Sequence, residues 1–229
     1  MQDNQLQPHY IGHRSRLRQK VLDHQLDSFA DYELLELLLF TAIPRRDVKP
    51  IAKKLLNQFG GLSNLINTDK DKLLLIEGIN KNFCTNLYVV RELLNRVLKQ
   101  KIVNNNIIGC WSDLLDYLKS TMGSLKIEQF KVLFLNKKNI LIADELMSVG
   151  TIDQAAVYPR EIIKRALFHE AGAIILTHNH PSGSPTPSKS DLELTKKIVE
   201  VCSAVSISVH DHVIIAGGEY YSFKSNLLL

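Results

Sequence analysis

Up to about residue 100 the apolar residues recur at helical spacing, whereas beyond about residue 130 they gather into short, dense runs rich in β-branched side chains. Asp31 ahead of Leu34-Leu35 and Leu37-Leu38-Leu39 predicts a capped helix that ends before Pro44. Asp47 predicts a second, closed by Gly60-Gly61, and Thr68 with Asp71 predicts the start of a third. The runs Phe130 to Leu135 and Ile140 to Leu146, joined across Asn136 to Asn139, predict two hairpin-linked strands. Pro159 suits the first turn of a helix that ends at Gly172. Gly172 to Thr177 then reads as a buried strand, a helix follows from Leu192, and final strands lie around Val209 to Ala216.

The polar, turn-prone triplet Asn104-Asn105-Asn106 separates the two patterns, so the expected organisation is an all-α domain over 1–103 and an α/β domain with a mixed sheet over 107–229. Within the first, Leu73 to Asn80 followed by a helical run through Leu98 resembles a helix-hairpin-helix module. In such a module a glycine turn presents backbone amides to a DNA phosphate. Here Asn80 stands where the second turn glycine is usual; it tolerates a left-handed backbone, but its side chain crowds a close phosphate approach. Gly78, Asn80, Arg14, Arg16 and Arg18 are the candidate DNA contacts, with Lys20, Arg45 and Arg46 nearby in sequence. A merely solvated basic face, and a hairpin kept only to pack helices, explain the same residues.

Charge sharpens the division. Residues 1–100 carry 15 basic against 11 acidic side chains, a net of +4, while the remainder is balanced, so any attraction to polyanions belongs to the helical part. The polar start Met1 to Pro8 has no secretory apolar run and no stretch is long enough to span a membrane, which points to a cytoplasmic protein without a membrane partner. Cys84, Cys110 and Cys202 are odd in number and lack CxxC spacing; this argues against a disulfide framework and a cysteine-held zinc, and makes them small core residues.

The chemistry concentrates at His178-Asn179-His180, followed after seven residues by Ser188 and after two more by Asp191. On a strand, residues two apart share a face, so His178 and His180 converge while Asn179 points away. Three prolines and a glycine in Pro181 to Pro187 stiffen a loop that returns the chain, and Asp191 adds a carboxylate. Three protein ligands to Zn²⁺ leave one position for water, which is the catalytic rather than the structural pattern. Ser188 with Asp191 also reads as a capping box at a helix start; the same placement lets Ser188 donate to an oxyanion.

His178-Asn179-His180-Pro181-Ser182-Gly183, the Pro187-Ser188 pair and Asp191 together resemble the JAMM signature of MPN-type metalloproteases. With Gly150-Thr151, Val157 to Glu161, Asp211-His212 and Tyr221-Ser222-Phe223, the chain is similar over nearly its whole length to the bacterial RadC family of the UPF0758 type. The resemblance implies a JAMM/MPN, cytidine-deaminase-like zinc-hydrolase domain acting on an unknown peptide or protein substrate. It also implies a catalytic glutamate where the first helix of that domain meets the following strand, the place of Glu128; Glu145 is the rival base.

His210-Asp211-His212 is a second His-x-His, but no acid-bearing loop follows it, so Asp211 and His212 are read as supports that orient the ligand histidines. His169 and Glu170, at a helix end, read as a dipole-compensating surface pair. Hydrolysis of peptide or isopeptide bonds is the leading reading. The alternatives are a phosphodiesterase acting on DNA brought by the helical domain, for which two metals about 4 Å apart are more usual, and a non-catalytic DNA-binding module with a structural metal.

Overall fold

The computed structural model describes residues 12–150 and 157–229; Met1 to Pro8 and Thr151 lie outside them. The chain divides into two compact units, one up to Leu93 and one from Leu94.

The first unit is helical: α1 (His13–Leu22), a 3₁₀ turn (Leu26–Ser28), α2 (Asp31–Ala42), α3 (Lys49–Phe59), α4 (Leu62–Ile66), α5 (Lys70–Leu74) and the start of α6 (Lys81–Ile102). Leu35 and Leu39 of α2, Leu55 of α3, Leu65, Leu73, Phe83 and Leu87 bury one face of each helix in a shared core. Local chemistry sets the ends. Asp47 Oδ1 accepts the Lys49 N–H at 3.0 Å ahead of α3, and Gly60 closes it at φ 74°. Asp31 is the first residue of α2, not its cap; the Glu33 carboxylate instead reaches back to the Ala30 N–H at 3.0 Å. Thr68 also departs from expectation, because its hydroxyl donates to the Asn64 carbonyl at 2.7 Å and so finishes α4, leaving Asp69 to precede α5.

In the second unit α7 (Trp111–Met122) precedes β1 (Gln129–Leu135) and β2 (Leu141–Val149), followed by α8 (Pro159–Phe168), β3 (Ala173–Asn179), α9 (Lys189–Ala204), β4 (Ser208–Ala216) and β5 (Glu219–Ser222). The five strands form one mixed sheet in the order β2-β1-β3-β4-β5. Only β3 and β4 are parallel, and a parallel pair needs a crossover, supplied here by the loop after β3 and by α9. Alternation along the strands sends Leu133, Leu135, Ile175, Val213 and Ile215 to the face covered by α7. Phe130, Val132, Phe134, Ile174 and Leu176 go to the other face, covered by α8 and α9 through Ile162, Ala166, Ile198 and Cys202. Covered on both sides, β3 is buried along its whole length, which is why its sequence is continuously apolar until it reaches Thr177.

Cys84 and Cys202 are buried in these cores, whereas Cys110 is half-buried, its thiol on the Asn106 carbonyl. Among the described residues no helix is long and apolar enough to cross a membrane.

Candidate metal centre

The parity that puts Leu176 in the α8/α9 face puts His178 there too, at the carboxyl end of β3, where it lies opposite Phe130 and stacks on that ring at 5.9 Å. Beyond the strand, the His180 N–H still bonds to the Ile215 carbonyl at 2.8 Å, and the chain then turns through Gly183 at φ 85°. This turn brings the Ser184 carbonyl to 2.9 Å from His180 Nδ1. A carbonyl only accepts, so Nδ1 carries a ring proton; a neutral ring then has its lone pair on Nε2, while the charged ring donates from Nε2 to Asp191.

The loop returns the chain to α9, whose N-cap is Ser188. The capping box forms: the Asp191 N–H donates to Ser188 Oγ at 3.1 Å, and Asp191 Oδ2 accepts both the Ser188 N–H and its hydroxyl at 2.7 Å. The capping and ligand readings of this motif therefore coexist, because the box fixes the rotamer that aims Asp191 at the histidines. The Ser188 hydroxyl proton is engaged with Asp191, so an oxyanion role for Ser188 requires that bond to open.

Three side chains converge. The Nε2 atoms of His178 and His180 are 3.0 Å apart, and Asp191 Oδ1 and Oδ2 lie 3.3 and 3.4 Å from them respectively. Ligand atoms about 2.0 to 2.1 Å from a tetrahedral ion sit about 3.3 Å from one another, so the two nitrogens and the carboxylate, one oxygen toward each ring, are close enough together to share one ion. Asp191 is buried, and its Oδ1 has no hydrogen-bond partner. A buried carboxylate oxygen left without a donor is costly unless a cation meets it, and the residues present fit a zinc ion on that ground. Electrostatics agree. Burial alone would raise the Asp191 carboxyl pKa, but the two imidazoles and Ser188 hold it far below the usual carboxylate range. Burial pushes His178 down, keeping it neutral, while Asp191 raises His180.

Glu128 lies just ahead of β1, and one of its carboxylate oxygens falls within 4.8 Å of ring nitrogens of both His178 and His180. Asn179 faces the opposite way and clamps that segment: its Oδ1 accepts the Gln129 N–H at 2.9 Å, and its amide donates toward the Ile127 and Leu125 carbonyls at 3.3 and 3.4 Å. Glu145 is elsewhere. It sits within β2, held bidentately by the Arg165 guanidinium and by His169 at 2.7 Å, and the Arg165 hydrogen bonds pull its carboxyl down to about 2. His169 thus bridges α8 to the sheet instead of pairing with Glu170.

His212, fully buried on β4, places Nε2 2.8 Å from His178 Nδ1 and stacks on Phe223 at 4.7 Å. Asp211 does not reach the ligands. It accepts from Ser222 Oγ at 2.5 Å and the Lys224 N–H at 2.9 Å, fixing the turn that carries Phe223. The rival pair does not assemble, because His210 bonds Asn139 at 2.6 Å.

In the helical unit, Gly78 has φ 90°, the conformation a glycine turn requires, but Asn80 takes no left-handed backbone. It caps α6, with Oδ1 accepting the Phe83 N–H at 3.0 Å and its amide donating to the Ala42 carbonyl at 2.9 Å. The Arg14 guanidinium lies over the Phe40 ring at 4.6 Å and donates to the Ile43 carbonyl at 2.8 Å; Arg18 lies 5.9 Å from the same ring. Arg16 approaches the spot that a Cβ on Gly12 would occupy, at 3.1 Å. Thr195, Asn179 and Arg165 are the functional candidates that the pattern of the sequence did not single out. Only Thr195, four residues past Asp191 on one helix face, had a positional signal.

Two family models match the chain: the RadC-like JAB domain over residues 108–228 and the UPF0758 N-terminal domain over residues 10–84.

Proposed function

The chain belongs to the family of the RadC-like JAB domain, and on that premise we propose that it is a zinc-dependent hydrolase of peptide or isopeptide bonds. The observation that carries the reading is the convergence of two imidazole nitrogens 3.0 Å apart on the buried Asp191 carboxylate, whose Oδ1 has no hydrogen-bond donor. His178, His180 and Asp191 hold the ion. When bound, zinc would supply Lewis acidity toward the scissile carbonyl and would lower the pKa of a water.

The remaining work falls to the protein. Ser188 keeps Asp191 in its rotamer, and the Ser184 carbonyl keeps the His180 lone pair directed inward. Glu128, whose carboxylate is close enough to both imidazoles to share an ion with them, is assigned the base: it takes the proton from the attacking water and returns it to the leaving amine. Glu145 is unsuited to proton transfer, because a carboxylate held near pKa 2 by an arginine is a feeble base and its partners tie it to α8.

The test is zinc content and turnover together, on a panel of peptide and isopeptide substrates. The wild type is expected to bind one zinc per chain and to cleave; the His178→Ala/His180→Ala double variant is expected to do neither. Full zinc occupancy in the double variant would overturn the ligand assignment.

A second reading, DNA engagement by the helical unit, is favoured by the glycine turn at Gly78 with an Arg46 guanidinium nitrogen 3.4 Å from where its Cβ would stand. The engaged state of Arg14 and the capping bonds of Asn80 leave fewer groups for phosphate than the sequence suggests.

A further inference from the structure

The proton on His178 has a traceable origin. Thr195 lies one turn after Asp191 in α9, and its hydroxyl stands 2.5 Å from the Asp191 carbonyl oxygen. That oxygen can only accept, so the hydroxyl proton points at it. The same Thr195 oxygen stands 2.6 Å from His212 Nδ1. With its single proton already committed, it must accept there, which places the His212 proton on Nδ1 and leaves Nε2 bare. Bare Nε2 faces His178 Nδ1 at 2.8 Å and must accept in its turn, so the His178 proton lies on Nδ1 and its Nε2 lone pair faces Asp191 and His180.

We propose that Thr195 is a positioning residue for the metal centre, its hydroxyl fixing the His178 tautomer through His212. The relay rests on the zinc reading given above and deepens it. It starts and ends on one residue, since the Asp191 backbone carbonyl sets the proton order that readies His178 to share a ligand set with the Asp191 side chain. All of its members are buried, so water does not substitute for a missing partner. Without the hydroxyl, His212 gains by moving its proton to Nε2 and donating to His178, which drives the His178 proton onto the atom meant for the metal. When zinc forces the original order, His212 Nδ1–H is left buried with no acceptor.

The experiment uses the full chain with Thr195→Val, which keeps the shape and removes the hydroxyl, and Thr195→Ser, which restores it. Zinc affinity is measured by competition with a chromophoric chelator, and the imidazole ¹⁵N resonances of the zinc-free protein report the tautomers. The expected result is a loss of 10- to 100-fold in zinc affinity for Thr195→Val, affinity near wild type for Thr195→Ser, and a wild-type His178 protonated on Nδ1 that shifts toward Nε2 in the valine variant. Equal zinc affinity in wild type and Thr195→Val would overturn the relay while leaving the metal site standing. Failure of the wild type to bind zinc overturns the functional reading instead, and the ring spectrum then still decides the relay. Should Thr195→Val not fold, the wild-type spectrum alone decides: His178 protonated on Nε2 sinks the proposal.

Discussion

At the scale of the residue, the proposed function separates groups that would hold a metal from groups that would act beside it, and substitution should separate them too. Glu128→Gln keeps the shape but cannot accept a proton, so zinc stoichiometry is expected to stay at wild type while turnover falls roughly 10²- to 10⁴-fold; a variant that kept its rate would remove Glu128 as the base. Asn179→Ala releases three backbone bonds on either side of Glu128. Because small misplacements of a catalytic group cost up to about 10² in rate, kcat is expected to drop at least 10-fold with zinc affinity nearly unchanged, and equal losses in both would show that the clamp serves the ligands instead. The convergence of the two histidines and Asp191 was legible because two-residue and helix-start spacings have fixed geometric meaning. The bonds of Thr195 to His212 and of Asn179 to Gln129 were not, since they span 17 and 50 positions and hydrogen-bond partners at such separations leave no period in a sequence.

At the scale of the element, periodicity gave the strand and helix order of the sheet-bearing part, including the hairpin of β1 and β2 and the helix starting at Pro159. It placed helix starts less well. Thr68 and Asp31 carry side chains that suit a cap, but Thr68 instead closes the preceding turn and Asp31 sits one step inside its helix. The tie between β2 and α8 left no sequence signal either, because Glu145 alone reads as a surface charge. That tie should be measurable. The Glu145 carboxyl is depressed from near 4.5 to about 2, so its stabilising contribution is present above about pH 4.5 and fades as the pH falls toward 2. Glu145→Gln is expected to cost about 1 kcal/mol at pH 7, the range for a partly exposed pair, and progressively less below pH 4.5, as read from denaturant midpoints across that range. A penalty that grew on acidification would contradict the assignment.

At the scale of the whole molecule, a bound metal would be linked to folding. A ligand that binds only the native state stabilises it by about 2.7 kcal/mol at a hundred times its dissociation constant, so chelation is expected to lower the melting temperature of the wild type and to leave that of His178→Ala/His180→Ala unmoved. If the helical unit engages phosphates, the intact chain should bind duplex DNA at about 50 mM salt with affinity falling by a log-log slope of roughly −0.9 per contact. Arg46→Ala is expected to flatten that slope, and no binding at all at low salt would dismiss DNA as a partner. One topological detail reaches further than its geometry. The crossover that makes β3 and β4 parallel also gathers both histidine ligands, Asp191, Ser188, Thr195 and His212 into the 35 residues from His178 to His212, whereas Glu128 stands 50 residues upstream of that stretch. On the proposed reading, capturing an ion and acting through it are written in separate stretches of the gene. If Glu128 is the base proposed, a lineage would silence the chemistry by one change there while inheriting the segment from His178 to His212 whole, and a single reversion would restore what was lost.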